Sequence, residues 1–224
     1  MSLLGTAAVA MWWDIAPAVR AEFEDWHSHE HFPERMSIPG FRRGSRWASE
    51  DGEGFFVLYE LDAYETLTSP GYLSRLNNPT PWSTKMMPHH RNMVRSQCRV
   101  LESGGGGLAR FMLTLRLSPA AGRAGGLHDR LKALVMRLPA LPGLTGAHLL
   151  RTETPAAPAT TEQKIRGGDA VADWILLVSG YDSSVLETLS GMELGPIALE
   201  QAGALPSATA SVFRLSYSVT ANDL

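Results

Sequence analysis

Thr6 to Trp13 is an unbroken run of small and apolar positions that reads as a buried strand, and from Pro17 to His31 apolar residues such as Val19, Phe23 and Trp26 return at helical spacing. Asp14 stands where a cap is expected, and Pro33 predicts the stop. Phe41 to Ala48 and Phe55 to Leu61 are strand-like and flank Glu50-Asp51-Gly52-Glu53-Gly54, which predicts a hairpin. Tyr64 to Leu76 predicts a second helix, broken at Pro70-Gly71, and Met93 to Leu101 a closing strand. The same order then returns. Its elements are strand Ala109 to Leu117, helix Leu127 to Leu138, strands Leu144 to Arg151 and Trp174 to Gly180, helix Ser184 to Met192 and strand Val212 to Val219.

A faint internal repeat supports this reading. Ser37-Ile38-Pro39-Gly40-Phe41, followed by Gly44, is echoed by Ala140-Leu141-Pro142-Gly143-Leu144, followed by Gly146, and Tyr64 to Ser69 is echoed by Leu186 to Gly191. Gly104 to Gly107 predicts a flexible joint and divides the chain into 1–103 and 108–224. Strand-helix-strand-strand-helix-strand, read twice, is the α+β class: two tandem ferredoxin-like βαββαβ units. Phe55 to Tyr59 and Trp174 to Val178 are apolar on both alternating faces, more than a sheet with one wet side needs. Helices cover one face, so the antiparallel sheets of the two halves are expected to pack face to face as an α/β barrel. The second hairpin loop, Thr152 to Gly168, is rich in Pro, Ala and Thr and predicts mobile surface chain.

Composition narrows the class. A chain of 224 residues has room for one or two domains, and 44% hydrophobic residues predict a packed core. The longest apolar run stops at Asp14, short of the roughly 20 residues a bilayer requires, and no basic segment precedes it as in a signal peptide. A cytoplasmic protein is expected. Twenty basic against 23 acidic residues leave a net charge of −3, which offers no attraction to nucleic acid or an anionic membrane. Cys98, the one cysteine, forbids an internal disulfide and a thiolate-rich metal cluster and is expected to pack in the closing strand. The expected partners are a small-molecule ligand and further copies of the chain, as a homodimer or higher homo-oligomer.

The segment Asp25-Trp26-His27-Ser28-His29-Glu30-His31-Phe32-Pro33-Glu34-Arg35, running into Ile38-Pro39-Gly40-Phe41 and Gly44, resembles the helix-to-second-strand segment of dimeric α/β barrel proteins, nearest to their EthD-like branch. The resemblance in motif covers about 25 residues, and that in fold covers both halves. It implies a fused pseudo-dimer with a pocket between helices and sheet. The activities it implies are varied: cofactor-free oxygenation, isomerisation or cyclisation of small aromatic or polyketide-like compounds, with haem chemistry in some branches.

Candidate chemistry concentrates on the first helix. Val19, Phe23, Trp26 and Glu30 share one stripe, with His27 and His31 along its edge. A carboxylate on an apolar line needs a partner. The functional reading makes His27 and His31 the acid/base pair and Glu30 the carboxylate that orients them; the competing reading is a solvated polar helix end whose histidines suit the helix dipole. His27 to His31 also fits the H-x-x-E-H pattern of inverted zinc peptidases, but Pro33 follows at once and no third ligand is evident, His89-His90 reading as an exposed turn. No metal site and no organic cofactor are expected. Aligning the Pro-Gly turns sets Arg130 opposite His27, Ala133 opposite Glu30 and Leu134 opposite His31, so the ionisable cluster belongs to the first half alone.

Arg43 and Trp47 alternate to one face of the second strand, Arg42 and Arg46 to the other, and Tyr59 lies on the neighbouring strand. An arginine there would hold a carboxylate or enolate while aromatics, Trp26 included, stack a flat substrate. Asn78 to Ser83 reads as extended chain in which Trp82 serves as a pocket lid or a core plug. The sequence therefore predicts a cofactor-independent isomerase, cyclase or monooxygenase. Its rivals are a non-catalytic ligand-binding or assembly module and a haem or metal protein of the same superfamily.

Overall fold

The computed structural model describes residues 3–153 and 158–224. Its strands are β1 (Ala7–Asp14), β2 (Phe41–Ala48), β3 (Gly54–Leu61), β4 (Arg91–Gly105), β5 (Phe111–Leu117), β6 (Leu144–Thr152), β7 (Trp174–Gly180) and β8 (Thr209–Thr220). Hydrogen bonding links them in the order β1-β3-β2-β8-β5-β7-β6-β4 and closes the ring, the expected α/β barrel. Two compact units divide the chain. One comprises Leu4–Cys98, Glu153–Val171 and Ser216–Leu224; the other comprises Arg99–Thr152 and Ala172–Leu215, with Leu3.

In the first unit β3 is central, antiparallel to β1 and β2. Helices α1 (Arg20–Trp26), α2 (Phe32–Met36), α3 (Pro70–Asn77) and α4 (Pro81–Met86) accompany the sheet. Gly40, at φ +95°, starts β2, and a bulge between Phe41 and Arg43 resets the alternation. Gly44 then lets the helical layer approach the strand, since a Cβ there would sit 2.5 Å from the Phe32 ring. The second unit repeats the plan: Gly143 has φ +87° and β6 bulges between Leu144 and Gly146 against β7. Its long helix α5 (Ala124–Arg137) buries Leu127, Leu131, Leu134 and Val135 in an aliphatic core. The position that aligns with His31 of the first unit is Leu134, buried in this core.

Several local expectations are corrected. Asp14 caps no helix; it accepts a hydrogen bond from Asn92 at 2.7 Å. The stretch Tyr64 to Leu76 is a 3-10 turn followed by α3, which Ser69 caps with Pro70 in its first turn. Gly104 and Gly105 are packed strand instead of a loose joint, since an added Cβ would meet the Val135 carbonyl at 2.5 Å and the Thr145 carbonyl at 2.1 Å. Cys98, by contrast, is buried in β4 as expected.

Two corrections shape the site. Pro33 does not end the first helix, because His27–His31 form a π-helical turn, Phe32 N–H reaching back to the His27 carbonyl, and α2 continues to Met36. The wider turn accommodates a residue that can neither donate nor fit against the usual carbonyl. The loop Thr152 to Gly168 is likewise not mobile surface chain where it is described; its residues 154–157 lie outside the described residues. Thr160 and Gln163 form a capping box that starts α6 (Thr161–Arg166), and Gly167 at φ +85° ends it. The following chain pairs with β4, where Arg95 N–H donates to the Ala170 carbonyl at 2.8 Å.

Candidate active site

A cavity opens within the first unit between the sheet, the first helix and α6. Its unfilled space is about 480 Å³ including the mouth, of which about 40 Å³ is wide enough for the centre of a water molecule. The smaller figure is room for a few water molecules and lies well below the roughly 300–1,000 Å³ of a small-molecule pocket, so a ringed ligand has to displace side chains on entry. Val9, Met11 and Trp13 of β1 form the sheet wall with Tyr59 of β3, while Trp26, His27 and His31 come from the helix. Trp26 and Tyr59 thus lie where the sequence reading put them.

His27 and His31 are 2% and 8% exposed and stack on each other with ring centroids 5.3 Å apart. His27 is wedged among Phe23, Phe32 and Trp13. Burial holds both imidazoles well below the usual histidine pKa, with the charges of Arg46 at His27 and of Arg35 at His31 acting the same way. Both are therefore neutral near pH 7. Arg46 reaches His27 Nδ1 at 3.4 Å, and a guanidinium only donates, so Nδ1 accepts and the ring proton sits on Nε2. Arg46 also bonds the Glu24 carbonyl, Ser28 and Ser216. It positions His27 and does not line the cavity, a correction to its substrate-binding role.

His90, expected in an exposed turn, lines the cavity instead. Its Nδ1 meets the Met87 carbonyl at 3.1 Å, so Nδ1 carries the proton and Nε2 is left as an acceptor. Burial, reinforced by the charge of Arg166, pushes its pKa down to about 4.

Glu30 is not the orienting carboxylate. It accepts from the Trp26 indole at 3.1 Å, from Thr80 at 2.5 Å and from Ser83 at 3.4 Å, binding the helix to the start of α4. Glu30 does lie on the Trp26 side of the helix, as the wheel has it, but its bonds go to Trp26, Thr80 and Ser83 and none to a histidine among the described residues. Arg43 and Trp47 lie on the sheet face away from the helices: Arg43 pairs with Glu60 at 2.6 Å, and Trp47 packs at a tilt against Phe56. Trp82 sits in the first turn of α4, with Thr80 as cap and Pro81 ahead of it, and packs on the core outside the cavity. The segment is helical because proline suits a first helical position.

An ion-pair network closes the far side of the cavity. Arg35, 3% exposed, bonds the Glu162 carboxylate, and Glu34 approaches it at 3.4 Å. Burial opposes the charge on Arg35, but Glu162 and Glu34 outweigh it and raise its pKa; burial raises Glu34 as well, against the pull of Arg35. Arg166 reaches Glu162 at 3.7 Å and holds Asp169 through two bonds of 3.0 and 2.9 Å. Arg35 stood within the recognised motif but drew no role. Glu162 and Arg166 were hidden in the insertion, where Thr160-Thr161-Glu162-Gln163 was a legible capping-box signal.

Three buried polar atoms on cavity-lining residues have no hydrogen-bond partner among the described residues: Trp13 Nε1, His31 Nδ1 and Tyr59 OH. Burial pushes the Tyr59 pKa up, so its hydroxyl stays protonated and can donate. Such orphaned groups are costly unless a ligand or water satisfies them. Among the described residues no three His, Cys, Asp or Glu side chains are grouped to hold a metal ion, and Glu30 turns away from the histidines of the zinc-like motif.

Acid should destabilise the fold through these histidines. A group with a depressed folded pKa binds its proton more readily when unfolded, so the stability it confers is present above about 6.5 and is lost as pH falls toward the folded value of about 4. For His90 alone the loss between pH 7 and pH 4 is about 3 kcal/mol. Urea titrations across that range should show falling midpoints in the wild type and a slope reduced by about one proton in His90→Gln.

No family model and no curated protein sequence matches the chain. Solved structures do. A crystal structure of an anthrone oxidase-like protein superposes with a TM-score of 0.69 at 10% identity, covering 98% of this chain and 95% of that one. A candidate monooxygenase from Fusobacterium nucleatum gives 0.62 at 7% identity over 97% and 96%. A monooxygenase-like protein from Listeria innocua gives 0.50 at 7% identity, covering 96% of each chain. This chain therefore shares the ferredoxin-like barrel fold of monooxygenase-like proteins. Among the described residues no helix is long and apolar enough to cross a membrane.

Proposed function

We propose that the chain is a small-molecule oxygenase working without an organic cofactor on a compact aromatic or polyketide-like ketone, an EthD-like relative that assembles as a homo-oligomer. The observation that carries this reading is the pair of buried neutral histidines facing a cavity with orphaned polar atoms, in a fold shared with an anthrone oxidase-like protein. For an anthrone the chemistry balances without an external reductant: C14H10O and O2 give C14H8O2 and water. The substrate methylene supplies both reducing equivalents. Proton loss from that carbon forms an enolate that donates electrons to oxygen.

His27 suits the enolate oxygen, because Arg46 fixes its proton on Nε2 as a donor. His31, with Nδ1 unpartnered, suits the acceptor of the carbon-bound proton. As both are neutral well above their lowered pKa values, the rate should be flat from about pH 6.5 to 8. The test is conversion of anthrone under ¹⁸O2 by chelator-treated protein. The expected result is anthraquinone carrying one heavy oxygen, formed in proportion to protein; a rate no faster than without protein contradicts the reading.

A further inference from the structure

Arg95 of β4 lines the cavity and is 8% exposed. Every other arginine on the cavity wall has carboxylates: Glu162 and Glu34 at Arg35, Glu162 and Asp169 at Arg166. The side-chain partner of Arg95 is the Tyr72 hydroxyl, 2.7 Å away, and among the described residues no carboxylate pairs with it. In that bond Tyr72 accepts, so its own proton is left to donate. The pair thus presents several guanidinium N–H groups and one O–H that bond no other group among the described residues. Tyr59 OH and Trp13 Nε1, on the same cavity, add two more unanswered donors.

A buried guanidinium without a counter-charge is a costly arrangement for stability alone. It is what a site for an incoming anion requires. A two-oxygen anion matches adjacent N–H and O–H donors better than a single oxygen does. The aromatic walls formed by Trp13, Trp26, Phe41 and Tyr72 favour a flat body attached to it.

We propose that Arg95 and Tyr72 form a carboxylate subsite, so that the ligand of this cavity is a planar acid whose carboxylate seats on that pair while its ring lies against the aromatic walls. The proposal rests on the oxygenase reading only for the cavity being the working site; binding of the acid requires no turnover.

The probes are 1-naphthoate and the uncharged 1-naphthamide at pH 7.5, read by quenching of tryptophan fluorescence, since Trp13 and Trp26 line the cavity. The wild type should bind the acid on the order of 30-fold more tightly than the amide. Arg95→Gln should lose that preference while keeping its affinity for the amide, and Tyr72→Phe should lose part of it. Arg95→Lys, which keeps the charge and drops the fork, should fall between, and it serves in place of Arg95→Gln if the latter fails to fold by circular dichroism. Equal binding of acid and amide by the wild type, binding of neither, or an undiminished preference in the Arg95 variants overturns the subsite. The two readings fail separately. Acid-selective binding without oxygen uptake keeps the subsite and removes the oxygenase, whereas oxygenation of anthrone with no acid preference does the reverse.

Discussion

Glu162→Leu should lower the stability of the folded protein by about 3 kcal/mol, on the order of a hundredfold in the folding equilibrium. Glu162 and Arg35 each have side chains only 3% exposed, so neither charge can be recovered by water once the other is gone. Breaking a buried pair from one side costs about 3 to 5 kcal/mol. The lower figure applies because Glu34 stays beside Arg35 and Asp169 beside Arg166. Glu162→Gln keeps an acceptor for Arg35 and should lose less, while Arg35→Met with Glu162→Leu removes both charges and should recover most of the loss. Urea unfolding at pH 7.5 measures all three. An unchanged midpoint in Glu162→Leu would mean that α6 is not anchored to the first unit through this pair.

The alternation of apolar residues made the two βαββαβ halves legible, and the echoed Pro-Gly turns marked β2 and β6, where glycines at positive φ and bulges do recur. His27, His31, Trp26 and Tyr59 were legible as cavity residues because they fall on the inward faces of the helix and of β3. Glu30 was placed on the Trp26 stripe and does bond Trp26, but its acceptor Oε1 is also taken by Thr80, 50 positions away, which no local period shows. Arg46 was legible as a strand residue, yet nothing local shows that a guanidinium will spend its bonds on a helix carbonyl and on His27. The network of Arg35, Glu162 and Arg166 was invisible for a different reason. It joins residues separated by 127 positions, one end of it inside an insertion whose composition resembles loose chain. Charge pairing across that distance leaves no period to read. Arg95 and His90 were hidden similarly, as polar residues in a strand and a turn that normally face water.

The largest functional effect is expected at His31. Replacing His31 by Phe preserves a flat ring against Trp26, whose centroid lies 4.6 Å away, and removes an Nδ1 that has no partner to be stranded. Stability should therefore hold or rise slightly, because a desolvated polar atom is exchanged for an apolar ring. Turnover should fall by about 10² to 10⁴, the usual share of a positioned acid or base. His27→Phe should differ. It strips Arg46 of an acceptor inside the core and should cost about 1 to 3 kcal/mol along with activity.

Oxygen uptake with anthrone should be recorded side by side for wild-type protein and His31→Phe of equal melting temperature. Rapid uptake by the wild type and a rate at least about a hundredfold lower in the variant are expected. Equal rates in the two would contradict the role given to His31, since the chemistry would then proceed without the imidazole that the cavity leaves unpaired.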